Sequence, residues 1–207
     1  DNFLDTRWEE DTSLVFLVDR DAMSWRPPED KDYDDSVRIR QVPGGTMAAA
    51  LNQGFEMFRH DADIMGFIGD DHRFRTFGWD MDVNDRLRGR EGILYGPDGS
   101  NNLERELPTF WFVTRGITDA LGWFANVSLR HYFLDDSWRD IGKATGTLIY
   151  DPTLYIEHQH FSFNKSAMDA TYQHTMNVGV RDPGAYQVWR NGGGYDKDVA
   201  AVRAAMT

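Results

Sequence analysis

Three short stretches of this sequence carry residue types that can do chemistry together. The first is Gly69-Asp70-Asp71-His72, which follows the apolar run Ile64–Ile68. Two adjacent carboxylates with no Lys or Arg immediately adjoining repel one another unless a cation joins them, and hard oxygen ligands suit Mg2+ or Mn2+. The competing explanation is a solvated acidic turn, because the chain has other such pairs at Asp34-Asp35 and Asp135-Asp136. Position favours the metal. In open α/β sheets ligands bind beyond the carboxyl ends of strands, and here an apolar strand and a permissive glycine lead straight into the pair.

The second stretch is His158-Gln159-His160, within Leu154-Tyr155-Ile156-Glu157. On a strand, side chains alternate, so His158 and His160 share one face while Glu157 and Gln159 take the other. Two imidazoles so placed form a candidate ligand pair, with a polar strand edge as the alternative. The third stretch is Asp135-Asp136, after the apolar Tyr132-Phe133-Leu134. One of these carboxylates can cap a helix starting near Ser137 while its neighbour serves as a general base.

The elements that position these groups alternate along the chain. Residues 2–10 read as the end of a helix, and Ser13–Asp19 (SLVFLVD) as a strand buried on both faces. An acidic, Pro-containing loop (Pro27–Asp35) separates it from a strand at Val37–Val42. The turn Pro43-Gly44-Gly45-Thr46 supplies an N-cap for an amphipathic helix running to about His60. Strand Ile64–Ile68, a helix at about Trp79–Arg88 and a strand at Gly92–Tyr95 come next. Beyond a Gly/Asn-rich seam at Gly96–Asn102 lie a strand at Thr109–Thr114, a helix from about Gly116, a strand at Thr153–Phe161 and C-terminal helices. This alternation predicts a three-layer α/β/α sandwich with a mostly parallel, Rossmann-like central sheet. The expected organisation is one continuous domain with two halves, a nucleotide-binding half at 1–100 and a catalytic or second-substrate half at 101–207.

Composition narrows the function. With 41% apolar residues, 13 Phe, 7 Trp and 8 Tyr, the 207-residue chain can bury a sizeable core. Its net charge of −12 argues against nucleic acid as a partner, since phosphate backbones reward a basic face. An acidic enzyme can still take a phosphate-bearing substrate through a divalent cation. No run approaches the length needed to span a bilayer. The absence of cysteine excludes disulfides, thiolate zinc sites and cysteine nucleophiles, and it points to a cytoplasmic setting. Neither a Gly-x-Ser-x-Gly elbow nor a Gly-x-x-x-x-Gly-Lys-Ser/Thr loop is present.

The ordered set of motifs resembles the GT-A glycosyltransferases, particularly small bacterial and phage members of the inverting type. The residues that carry the resemblance are the strand-end Asp19, the helix start Gly44-Gly45-Thr46, the pairs Asp70-Asp71 and Asp135-Asp136, and a late strand histidine. The resemblance implies that Asp71 is a metal ligand with Asp70 toward the ribose. It also implies a further metal contact from His158 or His160, and a catalytic base from Asp135-Asp136, Asp136 matching better. Asp19 sits where the family reads the nucleobase, with Asp21 the close alternative, and Gly45 and Thr46 are expected at the nucleotide. Lys165 is expected to close over the diphosphate, its alternative being an exposed loop lysine. The implied partners are a nucleoside-diphosphate sugar, a UDP-sugar above all, and an acceptor hydroxyl, with Mn2+ or Mg2+ as cofactor.

Three departures from the family pattern stand out: His72 directly follows the acidic pair, which leaves open whether it too reaches the metal, Asp replaces Glu in the second motif, and the first strand of the fold is expected before residue 1. Trp111, Trp123 and Trp138 are expected in the core, with at most one stacking on a sugar. The rival readings are a metal-dependent nucleotidyltransferase or phosphohydrolase, and a non-catalytic nucleotide-sugar-binding module.

Overall fold

The computed structural model describes residues 2–20, 35–100, 105–160, 165 and 177–207. In chain order the elements are α1 (Asn2–Thr6), β1 (Leu14–Asp19), β2 (Val37–Val42), α2 (Met47–Phe58), β3 (Ile64–Phe67), β4 (His72–Phe74), α3 (Trp79–Leu87), β5 (Ile93–Tyr95) and β6 (Trp111–Thr114). They continue with α4 (Arg115–Leu121), α5 (Leu134–Thr145), β7 (Leu148–Tyr150), β8 (Ile156–His158), a 3-10 turn (Gly179–Arg181), α6 (Asp182–Asn191) and α7 (Gly194–Ala205). None of the described helices is long and apolar enough to cross a membrane.

The centre of the molecule is a four-stranded sheet in the order β3-β6-β5-β7. Its β3–β6 and β6–β5 pairings are antiparallel and its β5–β7 pairing is parallel. Two further pairs stand beside it, parallel β1–β2 and antiparallel β4–β8. The fold is therefore mixed α/β with small mixed sheets, where the element alternation predicts one mostly parallel sheet. The difference lies in β6, which runs antiparallel to both of its neighbours; two further strands, β4 and β7, escape the sequence pattern. Each is three residues long, too short for a period to register.

Strand alternation sends the residues of β5 and β6 into two cores. Ile93, Trp111 and Val113 join Phe55, Ile117, Trp138, Trp189 and Val202 on one face. Leu94, Phe110 and Phe112 join Phe3, Phe74, Trp79 and Ile156 on the other. Burying each such side chain fully is worth about 1.5–3 kcal/mol, so β5 and β6 anchor both layers. Close backbone approach is managed by glycine. A Cβ on Gly66 would come 2.6 Å from the ring of Phe112, its cross-strand partner.

The described part of the stretch read as a seam, Gly96–Ser100, is tightly docked. A Cβ on Gly96 would come 2.0 Å from the Leu154 carbonyl oxygen. The backbone amides of Ile156 and His158 donate to the carbonyls of Pro97 and Asp98 at 3.2 and 2.9 Å. The loop thus lines β8 and fixes the strand that carries His158.

Candidate metal centre

After β3 the chain turns through Gly69-Asp70-Asp71 and re-enters extended structure as β4. The register of β4–β8 places His72 directly opposite His158. Directly opposed residues on an antiparallel pair project to the same face, and the two imidazoles stack with centroids 4.2 Å apart and planes 13° from parallel. Asp71 stands beside them, its Oδ2 3.1 Å from His158 Nε2 and its Oδ1 3.3 Å from His72 Nδ1. The Gln159 amide donates to the Asp71 carbonyl at 2.8 Å, carrying the strand pairing past the histidine.

These three side chains offer one carboxylate oxygen and two imidazole nitrogens within 4.8 Å of one another, and no other such group occurs among the described residues. His72 is buried; its Nδ1 has the 3.3 Å contact with Asp71, and its Nε2 has no hydrogen-bond partner among the described residues. Buried polar atoms are nearly always satisfied, so a nitrogen left in this state is available to a further ligand, and a metal ion is one that imidazole nitrogens take. Gly69 keeps the space open. A Cβ there would lie 2.8 Å from both Asp71 Oδ1 and His72 Nδ1.

The electrostatics suit a cation. Burial opposes ionisation of Asp71, but its contacts with His158 and His72 prevail and hold the carboxyl well below the usual carboxylate range. Burial pushes His72 below the ordinary imidazole value against the pull of Asp71. His160, its ring centroid 5.0 Å from that of His158, is lowered by burial and by the His158 charge. An ionised Asp71 carboxylate and a neutral His72 imidazole are protonation states that suit a metal.

Comparison of the chain with protein families, curated proteins and solved structures found no match.

Of the residues singled out in the sequence, Asp71 and His158 come together as expected, and His160 stands next to them outside the three-residue group. His72 completes the group. The signal for it was present in the alternation of an unrecognised strand, β4, which aims His72 inward and Arg73 outward. Asp70 is exposed, and its carbonyl accepts from Arg73 Nη1 at 3.0 Å. Lys165 is drawn to Glu157, with Nζ 2.9 Å from Oε1, and it donates to the Gly99 carbonyl at 3.3 Å. Arg75 holds the same carboxylate at 2.8 Å. Glu157 alternates with His158, so this ion cluster is anchored on the opposite face of β8.

Asp19 closes β1 beside Val42 of β2 and is exposed. Asp21 lies outside the described residues. Thr46 caps α2, its Oγ1 accepting from the Ala49 amide at 3.2 Å, with Gly45 just before it. Trp111, Trp123 and Trp138 are all buried in one core cluster, so none is available to stack on a sugar.

The second acidic pair differs from expectation in its local role. The helix begins at Leu134, not near Ser137, so Asp135 and Asp136 lie inside its first turn and neither caps it. The cap position is Phe133, with φ of 65°. Burial pushes the Asp135 carboxyl up to about 6, helped by the neighbouring Asp136 charge. Asp136 pairs with Arg139 one turn along the helix, at 2.5 Å.

Proposed function

We propose that this chain is a metal-dependent glycosyltransferase that moves a sugar from a nucleoside-diphosphate sugar, a UDP-sugar above all, to an acceptor hydroxyl. The observation that carries the reading is the Asp71-His72-His158 group at the end of β3, in the position where the sequence resemblance expects the metal of a GT-A enzyme. The finer fold assignment, a three-layer GT-A sandwich, belongs to the same proposal. Its support is the double core around β5 and β6 and the acidic turn that follows β3. The cysteine-free sequence supports a cytoplasmic setting.

Asp71, His72 and His158 would hold the cation, and a bound divalent ion would offset the negative charge that grows on a departing diphosphate. Two nitrogen donors and one oxygen favour Mn2+ over Mg2+, which prefers oxygen ligands. In the transfer the acceptor oxygen bonds to the anomeric carbon while the bond from that carbon to the diphosphate oxygen breaks, the diphosphate keeping the electron pair. The acceptor proton passes to a carboxylate of the Asp135-Asp136 pair. Asp136 is assigned this role by the resemblance, and a side chain held by an ion pair is already oriented for it.

Thermal unfolding with UDP or GDP, with and without Mn2+, tests the reading. A nucleotide at about 100 times its dissociation constant adds about 2.7 kcal/mol, a rise in Tm of about 5–10 °C for a chain of this size. Stabilisation by Mn2+ together with UDP, followed by release of UDP from a UDP-sugar, supports transfer. Release of UMP would instead establish a phosphohydrolase, and no response to any nucleotide with Mn2+ would sink the proposal.

A further inference from the structure

Asp136 does not stand alone at the start of α5. Its partner Arg139 reaches in two directions, Nη1 toward Asp136 at 2.5 Å and Nε and Nη2 to Asp140 Oδ1 at 3.0 and 2.9 Å. Asp140 is in turn gripped from the C-terminal part of the chain. Tyr186 donates its hydroxyl to Asp140 Oδ2 at 2.5 Å, and Arg190 Nε donates to the same oxygen at 2.9 Å. The Arg190 guanidinium lies 3.7 Å from the ring centroid of Tyr195, which fixes it from the far side. Four charged groups and one phenol thus form a single chain of contacts from α6 to Asp136.

The same helix grips the approach to the acidic pair. Asp182, buried at the start of α6, accepts the backbone amides of Arg130, His131 and Tyr132 at 3.0, 2.7 and 2.8 Å. The Phe133 ring stacks on Tyr186, centroids 4.9 Å apart and planes 18° from parallel. Phe133 is the one described non-glycine residue with positive φ. A bulky side chain in that region costs on the order of 1–3 kcal/mol and persists only where surroundings over-determine it. Here the surroundings are α6, and the strained residue leads directly into Leu134-Asp135-Asp136. A plain helix start needs none of this, since Ser, Asn or Gly at the cap would serve.

We propose that Asp140 and Tyr186 are positioning residues for Asp136: Tyr186 and Arg190 fix Asp140, Asp140 fixes the Arg139 guanidinium, and Arg139 aims the Asp136 carboxylate at the acceptor hydroxyl. The proposal rests on the transferase reading above. In that reaction the acceptor proton goes to Asp136 as the acceptor oxygen bonds to the anomeric carbon and the nucleoside diphosphate leaves with the electron pair. A misaligned carboxylate weakens turnover and leaves donor binding alone, because the donor is held elsewhere, at the metal centre.

The test compares Tyr186→Phe, which deletes one oxygen, with Asp140→Asn and Asp140→Glu in the full chain. UDP release from a UDP-sugar with Mn2+ and an acceptor panel is followed at saturating and limiting donor. Tyr186→Phe and Asp140→Asn are expected to lower kcat by about 10- to 100-fold with donor KM unchanged within about twofold. Asp140→Glu, which keeps the carboxylate, should recover part of the loss. Val202→Ala, a buried change on α7 in the same core as Tyr186 that removes none of the network's hydrogen bonds, controls for stability: it should lower Tm and keep kcat at a temperature where the protein is folded. Should Tyr186→Phe and Asp140→Asn retain kcat, or lose it only as Tm falls in step with Val202→Ala, the positioning role is overturned while the transferase reading stands. A wild-type chain that binds Mn2+ and UDP but releases no UDP from any sugar nucleotide overturns the transferase reading itself.

Discussion

His72 and His158 meet face to face across β4–β8, one buried and the other half-buried, with Asp71 touching both. A buried imidazole nitrogen without a partner, as His72 Nε2 is, is costly to keep in a low-dielectric site, and both rings face the same carboxylate. Metal affinity should therefore depend on both rings. Titration of Mn2+ by electron paramagnetic resonance should show a single tight site. His72→Ala and His158→Ala should each weaken it by about 10- to 100-fold, and Mg2+ should compete poorly. Equal affinity of wild type and His72→Ala would remove His72 from the ligand set.

Gly69 offers a sharper geometric test. A Cβ at that position meets an Asp71 oxygen and a His72 nitrogen at 2.8 Å, below any ordinary contact. Gly69→Ala should displace those atoms and lower Mn2+ affinity, and the larger Gly69→Val should do so more strongly. Because the turn is at the surface, the cost in stability should stay near ~1 kcal/mol. Calorimetry on the two variants measures both quantities. Unchanged Mn2+ binding in Gly69→Val would mean that the ion does not sit between Asp71 and His72.

Asp135 predicts an unusual pH response. Its carboxyl rises from 3.8 to about 6, burial first and the Asp136 charge second. A raised value means that the folded state binds the proton more tightly than the unfolded chain does. The stability it contributes is complete below about pH 4 and is lost as pH rises through about 6. Asp135→Asn should thus stabilise the protein at pH 7, on the order of 1–3 kcal/mol, and flatten the stability profile between about pH 4 and 6. Urea unfolding at about pH 4, 5, 6 and 7 decides the matter. A steeper slope in the variant would contradict the assignment.

Asp182 should be among the most sensitive polar positions in the chain. Its carboxylate satisfies three successive amides of the 130–132 loop. Removing an acceptor of this kind leaves buried donors unpaired at about 1–3 kcal/mol each. Asp182→Ala should lower stability by about 3–5 kcal/mol, measured by denaturant midpoint, with Asp182→Asn intermediate. A loss below about 1 kcal/mol would show that water takes over the three amides.

Much of this was legible from residue order. The apolar runs at 14–19 and 64–67 are strands, Thr46 caps the helix it precedes, and Asp71 and His158 come together across many residues of chain. What escaped has physical reasons. The sequence leaves the role of His72 open, because the inward face of its three-residue strand shows only once β8 is paired with it. The start of α5 escaped because its cap position is Phe133, a residue no capping preference predicts, held in place by tertiary contacts with α6. Lys165 was expected over a diphosphate. A carboxylate on the adjoining strand, whose side chain alternates away from the histidines, draws it instead.

The docked loop at Gly96–Ser100 has a consequence for anyone dividing the protein. Strand β5 lies before it and β6 and β7 after it, yet β5 hydrogen-bonds to both. The two sequence halves interleave within one sheet. A fragment ending near residue 100 would carry β5 with both edges bare and half of each core uncovered, a chain poised to pair with copies of itself. Recombining the halves with those of another protein would cut through that sheet. Useful exchange points lie instead beyond Tyr150, in surface turns such as the one between α6 and α7, where Gly193 sits in open space with φ of 90°.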